Sequence, residues 1–263
     1  MTNLHSHYIS RSTPLHPRQV CIIVGASSGI GAALARQLAR QGYTLALLAR
    51  RKELLESLCT EINQVAGENR AYYYVHDVTE YGTVPGLLRK IISDLGGLDL
   101  FIYDVGISLP VGFKKYDFEK DRATTEVNYL AALAWLNPVA ELFQSLKAGH
   151  IVGISSVAGD RGRVGNPSYN ASKAALTCYL EALRNRLARN GICVLTVKPG
   201  FVATDMLKDA KKTILVASPE KVAMDIAKAI RKRKQEIYTP GLWRWIMLVV
   251  RNIPSFIFRK MVF

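Results

Sequence analysis

The run Val20-Cys21-Ile22-Ile23-Val24, followed at once by Gly25-Ala26-Ser27-Ser28-Gly29-Ile30-Gly31, leaves this chain few folds to choose from. Five apolar residues, mostly β-branched, read as a strand buried on both faces. An amphipathic helical pattern then continues through Ala39, so the glycines lie between a strand and a helix. In that setting Gly25 permits a tight turn, Gly29 lets backbone approach a pyrophosphate, and Gly31 lets helix and strand pack closely. The open amides of the loop, from Ser27 and Ser28 to Ile30, would face the phosphates of a dinucleotide at the helix N-terminus.

The alternation then repeats. A second strand (Thr44 to Leu48), a helix (Lys52 to Ala66), a third strand (Ala71 to Val75), a helix (Tyr81 to Leu95) and a fourth strand (Leu98 to Tyr103) follow in turn. A long helical stretch (Asp117 to Leu146), a fifth strand (His150 to Ile154), a helix (Ala171 to Asn190) and a sixth strand (Ile192 to Val197) complete the pattern. Such alternation predicts an α/β fold: a Rossmann-type doubly wound parallel sheet with helices on both faces. Residues 19–239 form the predicted domain, preceded by a disordered tail (1–18) and followed by an apolar and basic helical tail (240–263).

Side chains at the strand ends extend the dinucleotide reading. The second strand runs into Arg50 and Arg51, where an acidic residue would hold the ribose of NAD and an arginine suits the extra phosphate of NADP. The expected cofactor is therefore NADP (NADPH), with NAD second, and with Arg50 the main contact and Arg51 secondary. Both arginines would otherwise simply begin the next helix in solvent. Asp77, beside Val78, is placed to accept from an adenine amine or equally to cap the next helix. Gly106 leaves room for a ribose, and the sixth strand opens through Pro199, Gly200 and Val202 to Thr204 at the same crevice.

The stretch Ser168-Tyr169-Asn170-Ala171-Ser172-Lys173 carries the candidate chemistry. Residues four apart share a helix face, so Tyr169 and Lys173 are expected side by side. A phenol titrates near ~10, and a nearby ammonium favours the phenolate, making the tyrosine a usable acid or base. Asn128, in mid-helix, would either brace its neighbours or hold a water beside Lys173.

Composition narrows the remaining classes. The four cysteines (Cys21, Cys59, Cys178, Cys193) sit at unrelated spacings, fitting neither zinc nor a disulfide framework, and point to reduced thiols in the cytoplasm. Met1 to Arg18 lacks the apolar core of a signal peptide, and His5, His7 and His16 there have no cluster of metal-ligating partners. No metal is expected. The formal net charge of +14 suits an anionic membrane surface or a phosphorylated substrate. Nucleic acid is not an expected partner, because no recognition motif accompanies the charge.

Taken together, GASSGIG at 25–31, Asp77, Asn128, Ser156, Tyr169 with Lys173, and Pro199-Gly200 resemble the short-chain dehydrogenase/reductase family over roughly 20–238. Ser156 precedes Tyr169 by thirteen positions, the interval of that family. The resemblance implies reduction of a ketone to a secondary alcohol by hydride transfer, with Tyr169 as general acid. Ser156 would bind the carbonyl oxygen, Lys173 would bind the nicotinamide ribose and depress the tyrosine, and Asn128 would hold a relay water. A homodimer or homotetramer through the long helices is also implied. One departure stands out: Tyr103-Asp104-Val105-Gly106 replaces the family's Asn-Asn-Ala-Gly, placing a carboxylate where it would weaken dinucleotide binding.

Past Tyr238 the chain turns strongly apolar at 242–251 and again at 256–263. Arg244, Arg251 and Pro254 interrupt both runs, so neither reaches the ~20 residues of a spanning helix. Tryptophans and arginines beside aliphatics suit a helix lying in a bilayer interface, at the inner face of the cytoplasmic membrane. A hairpin packed on a neighbouring subunit or over the substrate cleft is the other reading. With Ala158-Gly159-Asp160-Arg161 and this tail, the chain is similar to the reductase component of decaprenylphosphoryl-ribose 2-epimerase, which implies a 2-keto sugar on a polyprenyl phosphate. The competing functions are a soluble reductase of acyl or steroid-like ketones and a non-catalytic nucleotide-binding regulator.

Overall fold

The first apolar run forms β1 (Val20–Val24), buried at all five residues, in the computed structural model, which describes residues 19–207 and 215–261. Helix α1 (Gly29–Arg40) leads to β2 (Thr44–Ala49), and α2 (Lys52–Ala66) leads to β3 (Ala71–Val75). These crossovers build one half of the sheet. Helix α3 (Val84–Leu95) then returns the chain to β4 (Leu100–Tyr103), which pairs with the opposite side of β1. Helices α4 (Phe118–Thr125) and α5 (Ala131–Leu146) precede β5 (His150–Ile154), and α6 (Pro167–Leu187) precedes β6 (Cys193–Pro199). Helix α7 (Pro219–Arg231) and β7 (Glu236–Thr239) close the sheet.

All seven strands are parallel, in the order β3-β2-β1-β4-β5-β6-β7. The fold is the Rossmann-type doubly wound sheet. Buried side chains of α1, α2 and α7 cover one face. Those of α3, α5 and α6, with Trp135 and Phe143 among them, cover the other. The strand order switches direction between β1 and β4, and the crevice beyond their C-terminal ends is where such sheets hold ligands.

Several boundaries differ from the sequence reading for local reasons. Helix α6 begins at Pro167 rather than Ala171, because the Asn166 side chain accepts from the Tyr169 amide (3.3 Å) and Pro167 takes the first helical position. Tyr169 therefore lies on the helix, not before it. Strand β4 starts at Leu100, since the Asp99 carboxylate is bonded to the Val20 amide (2.8 Å) ahead of the ladder. Strand β7 went unread: it is four residues long, lies at the sheet edge and follows the run Arg231-Lys232-Arg233-Lys234. The tail at 1–18, with its histidines, lies outside the described residues.

The C-terminal segment is folded onto the body. Helix α8 (Trp243–Asn252) buries Trp243 and Met247 against Val157, with Phe201 and Tyr238 packed around them. Gly200 lies directly beneath the Trp243 indole, and a Cβ there would overlap it. Helix α9 (Ser255–Phe258) follows after Pro254. Among the described residues no helix is long and apolar enough to cross a membrane.

This packing sets an expectation for stability. Trp243→Ala should cost about 3 kcal/mol or more by urea unfolding, through lost burial and the cavity left behind. Trp245→Ala, at a residue 62% exposed, should stay within about 0.5 kcal/mol. Equal effects would mean that α8 is not docked through Trp243.

Candidate active site

Close backbone approach builds the floor of the crevice. Gly25 has φ +98°, and a Cβ on it would overlap the Asp104 carbonyl oxygen. A Cβ on Gly31 would overlap the Gly25 carbonyl oxygen. The loop therefore fits against the ends of β1 and β4 only as glycine. Gly29 (φ +58°) faces Thr204, and a cavity of about 510 Å³ lined by Ser28, Gly29, Ala203 and Thr204 opens beside them.

The two arginines after β2 take different positions. Arg51 donates to the Ser27 hydroxyl through Nε (3.1 Å) and Nη2 (2.8 Å), and to the Ser28 hydroxyl through Nη2 (2.5 Å). Its guanidinium is thus held against the glycine loop, with Asp205 3.7 Å away. Arg50 is turned to Asp77 (3.6 Å). The Asp77 carboxylate accepts from the Thr79 amide and hydroxyl (2.9 and 2.8 Å), and these bonds with Arg50 hold it below the usual carboxylate range despite partial burial. Val78 packs into the core beside Val84, and Ile30 packs against the cluster on the other face. Pro199 ends β6, Gly200 lies under Trp243, and Val202 is buried where it bridges to Ala217.

Asn128, Ser156, Tyr169 and Lys173 converge at the mouth of the crevice. Asn128 is fully buried within a single π-helical turn, Glu126–Leu130, a local widening that recurs at functional sites. Its amide nitrogen donates to the Ile107 carbonyl and the Ser172 hydroxyl (both 3.0 Å), and its oxygen accepts from the Ile107 amide (2.7 Å). Asn128 therefore braces the segment after β4 against α6. Lys173 donates to the Ile154 carbonyl (3.0 Å) and reaches the Val105 carbonyl (3.5 Å). A Cβ on Gly106 would approach its ammonium to 3.1 Å, which explains the glycine.

Electrostatics divide these groups. Burial raises the Tyr169 phenol above its ordinary value, while its hydrogen bond with Ser156 and the nearby Arg163 pull it down and Asp104 adds to the rise. The phenol thus holds its proton at neutral pH. Contrary to the sequence expectation, it is Ser156 and Arg163, not the Lys173 ammonium, that draw it down, because burial lifts the phenol and Lys173 is turned to the Ile154 carbonyl. Burial lowers Lys173 to about 8, against the opposing pull of Asp104. Burial raises Asp104 to about 7, against Lys173 and the bond from the Gly31 amide. Two residues of this cluster escaped the sequence reading: Ser172, which fixes Asn128, and Arg163, whose only signal was its place in the loop between Ser156 and Tyr169.

Known proteins bear on this geometry. The chain matches the family described as short chain dehydrogenase over residues 19–215. An uncharacterised oxidoreductase of Mycobacterium tuberculosis is 33% identical over 233 residues, covering 88% of this chain and 92% of its own. The ketoacyl reductase HetN of Nostoc is 29% identical over 221 residues, covering 82% and 76%. An actinorhodin polyketide ketoreductase variant solved with NADPH superposes with a TM-score of 0.76 at 25% identity, covering 84% of this chain and 95% of that one.

The buried Asp104–Lys173 pair can be tested directly. The carboxylate favours the ammonium, so Asp104→Asn should move the Lys173 titration below about 8. Acetylation of Lys173 against pH, read by peptide mass spectrometry, checks this. An unchanged profile would mean that Asp104 does not act on Lys173.

Proposed function

Since the chain belongs to the short-chain dehydrogenases and is an NAD(P)-dependent oxidoreductase, we propose that it uses NADPH to reduce a ketone to a secondary alcohol, with Tyr169 as the proton donor. The observation that carries this reading is a buried, protonated phenol hydrogen-bonded to Ser156.

The glycine-loop cradle, the cavity beside Thr204 and the Arg51 guanidinium on Ser27 and Ser28 fit a phosphorylated dinucleotide. Bound NADPH supplies the hydride. Arg51 is the better placed of the two arginines for the extra phosphate, because Arg50 is shared with Asp77. Ser156 donates to the substrate oxygen and stabilises the charge that develops there. Tyr169 gives its proton to that oxygen, which a phenol still protonated at neutral pH can do. Lys173, beside Gly106, would hold the cofactor's ribose, and Asn128 keeps the segment after β4 braced against α6.

For the substrate we favour a 2-keto sugar carried on a polyprenyl phosphate, taken up at an anionic membrane. The tail supports this. While Trp243 and Met247 face inward, Leu242, Trp245, Leu248, Val249, Phe256 and Ile257 are exposed. From 240 to 263 the chain has four basic residues and no acidic one. An apolar face rimmed by cations suits anionic headgroups, and the same charge opposes pairing of two copies through it. Assembly as a homodimer or homotetramer through α5 and α6 belongs to the same proposal.

Tyr169→Phe should lower turnover of a reducible ketone by about 10³-fold while leaving NADPH binding nearly unchanged. Ser156→Ala should cost about 10²-fold and shift the alkaline limb of the rate profile upward, because the bond that favours phenolate is gone. Full activity of Tyr169→Phe would sink the mechanism. For the tail, the protein should co-sediment with phosphatidylglycerol vesicles more than with phosphatidylcholine ones. Replacing Trp245, Leu248 and Val249 by serine should abolish the difference; equal partitioning of both proteins would rule out the anchor.

A further inference from the structure

Ser156 is presented by a short turn whose shape is set by three bonds. Its hydroxyl oxygen accepts from the Ala158 amide (3.1 Å), the Gly159 amide donates to the Ser156 carbonyl (3.1 Å), and the Asp160 amide donates to the Val157 carbonyl (3.2 Å). The serine's own proton is thereby left for another acceptor. On one side the turn lies against α6, where a Cβ on Gly159 would meet the Lys173 carbonyl carbon at 2.7 Å and the Ala174 amide nitrogen at 2.8 Å. That contact limits how closely the turn approaches the helix, but it does not hold the turn there.

The hold comes from Asp160, whose amide closes the turn and whose carboxylate uses both oxygens. Oδ1 meets the Lys198 ammonium at 3.0 Å, and Oδ2 accepts from the Tyr238 hydroxyl at 2.7 Å. The Asp160 and Lys198 side chains are only 3% and 5% exposed, so this is a buried pair, and neither charge can be released without leaving the other uncompensated. Lys198 is anchored in turn, by its place in β6 and by Glu236 (2.9 Å), while Tyr238 belongs to β7. A carboxylate gripped from two neighbouring strands has one orientation. Sheet geometry therefore reaches the serine's turn through a single side chain.

We propose that Asp160 is the positioning residue for Ser156: held by Lys198 and Tyr238, it sets where the serine hydroxyl stands against the Tyr169 phenol. The inference rests on the roles of Ser156 and Tyr169 given above and adds what places one against the other. Asp160 acts through the turn and not on the reacting atoms, since its carboxylate is occupied by Lys198 and Tyr238. Two effects of opposite sign separate this role from that of a charge. Loss of the carboxylate as a charge, with Lys198 left behind, would favour phenolate and lower the Tyr169 titration. Loss of the carboxylate as a clamp would loosen the Ser156 bond that favours phenolate, and so raise that titration. Arg163 and Asp104, which also act on the phenol, stay in place in either case.

Replacing Tyr169 by a ring-fluorinated tyrosine brings the phenol's titration into a range that the folded full-length protein tolerates, and fluorine NMR then follows that one group. In this background Asp160→Asn should raise the midpoint by at least about half of the rise produced by Ser156→Ala, and should add nothing when the two are combined. Asp160→Glu, which keeps the charge, should recover part of the original midpoint. NADPH affinity, titrated calorimetrically, should change by less than about twofold in Asp160→Asn. A midpoint that falls or stays in a folded Asp160→Asn, or a rise that adds to that of Ser156→Ala, would overturn the role. Should circular dichroism show Asp160→Asn unfolded, Tyr238→Phe carries the same test, because it removes only the hydroxyl that grips Oδ2; it should give a smaller rise, and no rise would overturn the role. None of these readouts needs turnover. The shifts in a protein that consumes no NADPH with any ketone would count against the reductase reading alone, and an active reductase without them would count against Asp160 alone.

Discussion

The site depends on how closely the ends of β1 and β4 approach one another. Backbone meets backbone there: Gly25 lies on the Asp104 carbonyl, and Gly31 lies on Gly25. Any side chain at either glycine would push the loop away from the sheet, tilting α1 and dispersing the amides at its start. The same contact brings Asp104 to the Gly31 amide, so a carboxylate occupies ground next to that held open for a phosphate. Burial lifts this carboxylate to about 7, and near neutrality its charge is only partly expressed. A group that looks hostile to a dinucleotide on paper is thereby softened by the pocket that holds it.

From this floor the polar side chains are tied together rather than merely near one another. Asn128 grips Ile107 through both backbone groups and Ser172 through its hydroxyl, linking the segment after β4 to α6. Ser155 bonds the Lys173 carbonyl (2.9 Å), linking β5 to the same helix. The π-helical turn at Glu126–Leu130 makes the first of these links possible by rotating Asn128 inward. Preorganisation of this kind lets donors stabilise developing charge without rearranging at the moment of reaction.

Much of this was legible in residue order, because each strand of a doubly wound sheet is a short apolar run and each glycine motif has a fixed place in it. Val20–Val24 and His150–Ile154 were read at their observed limits, since burial on both faces leaves no alternation to misjudge. Strand β7 was invisible for the opposite reason: Glu236 is exposed, Ile237 and Tyr238 are half-buried, and a basic run precedes them. The separate fates of Arg50 and Arg51 could not be read either, because one residue of difference along the chain after β2 decides which neighbour each meets. Arg163 lacked any motif; only the fold brings it near Tyr169.

The tail illustrates how sequence and structure answer different questions. Its composition pointed to a surface, whereas its inward face is joined to the loop between Ser156 and Tyr169. Lys198, at the end of β6, is buried with Asp160 (3.0 Å) and also meets Glu236 of β7 (2.9 Å), and the Tyr238 hydroxyl donates to Asp160 (2.7 Å). Burial works against the Lys198 charge, yet the bonds from Glu236 and Asp160 override it and hold the ammonium above its ordinary value. Removing one partner of such a buried pair leaves an uncompensated charge costing about 3–5 kcal/mol, so the pair fixes β6 to the loop that starts at Ser156, and Tyr238 brings β7 to the same carboxylate. Arg161 adds a second tie, from that loop to the carbonyls ending α8. Anything that moves α8 must therefore pull on Arg161, in the loop that follows Ser156. The end of α8 and the loop that starts at Ser156 are thereby joined through one guanidinium.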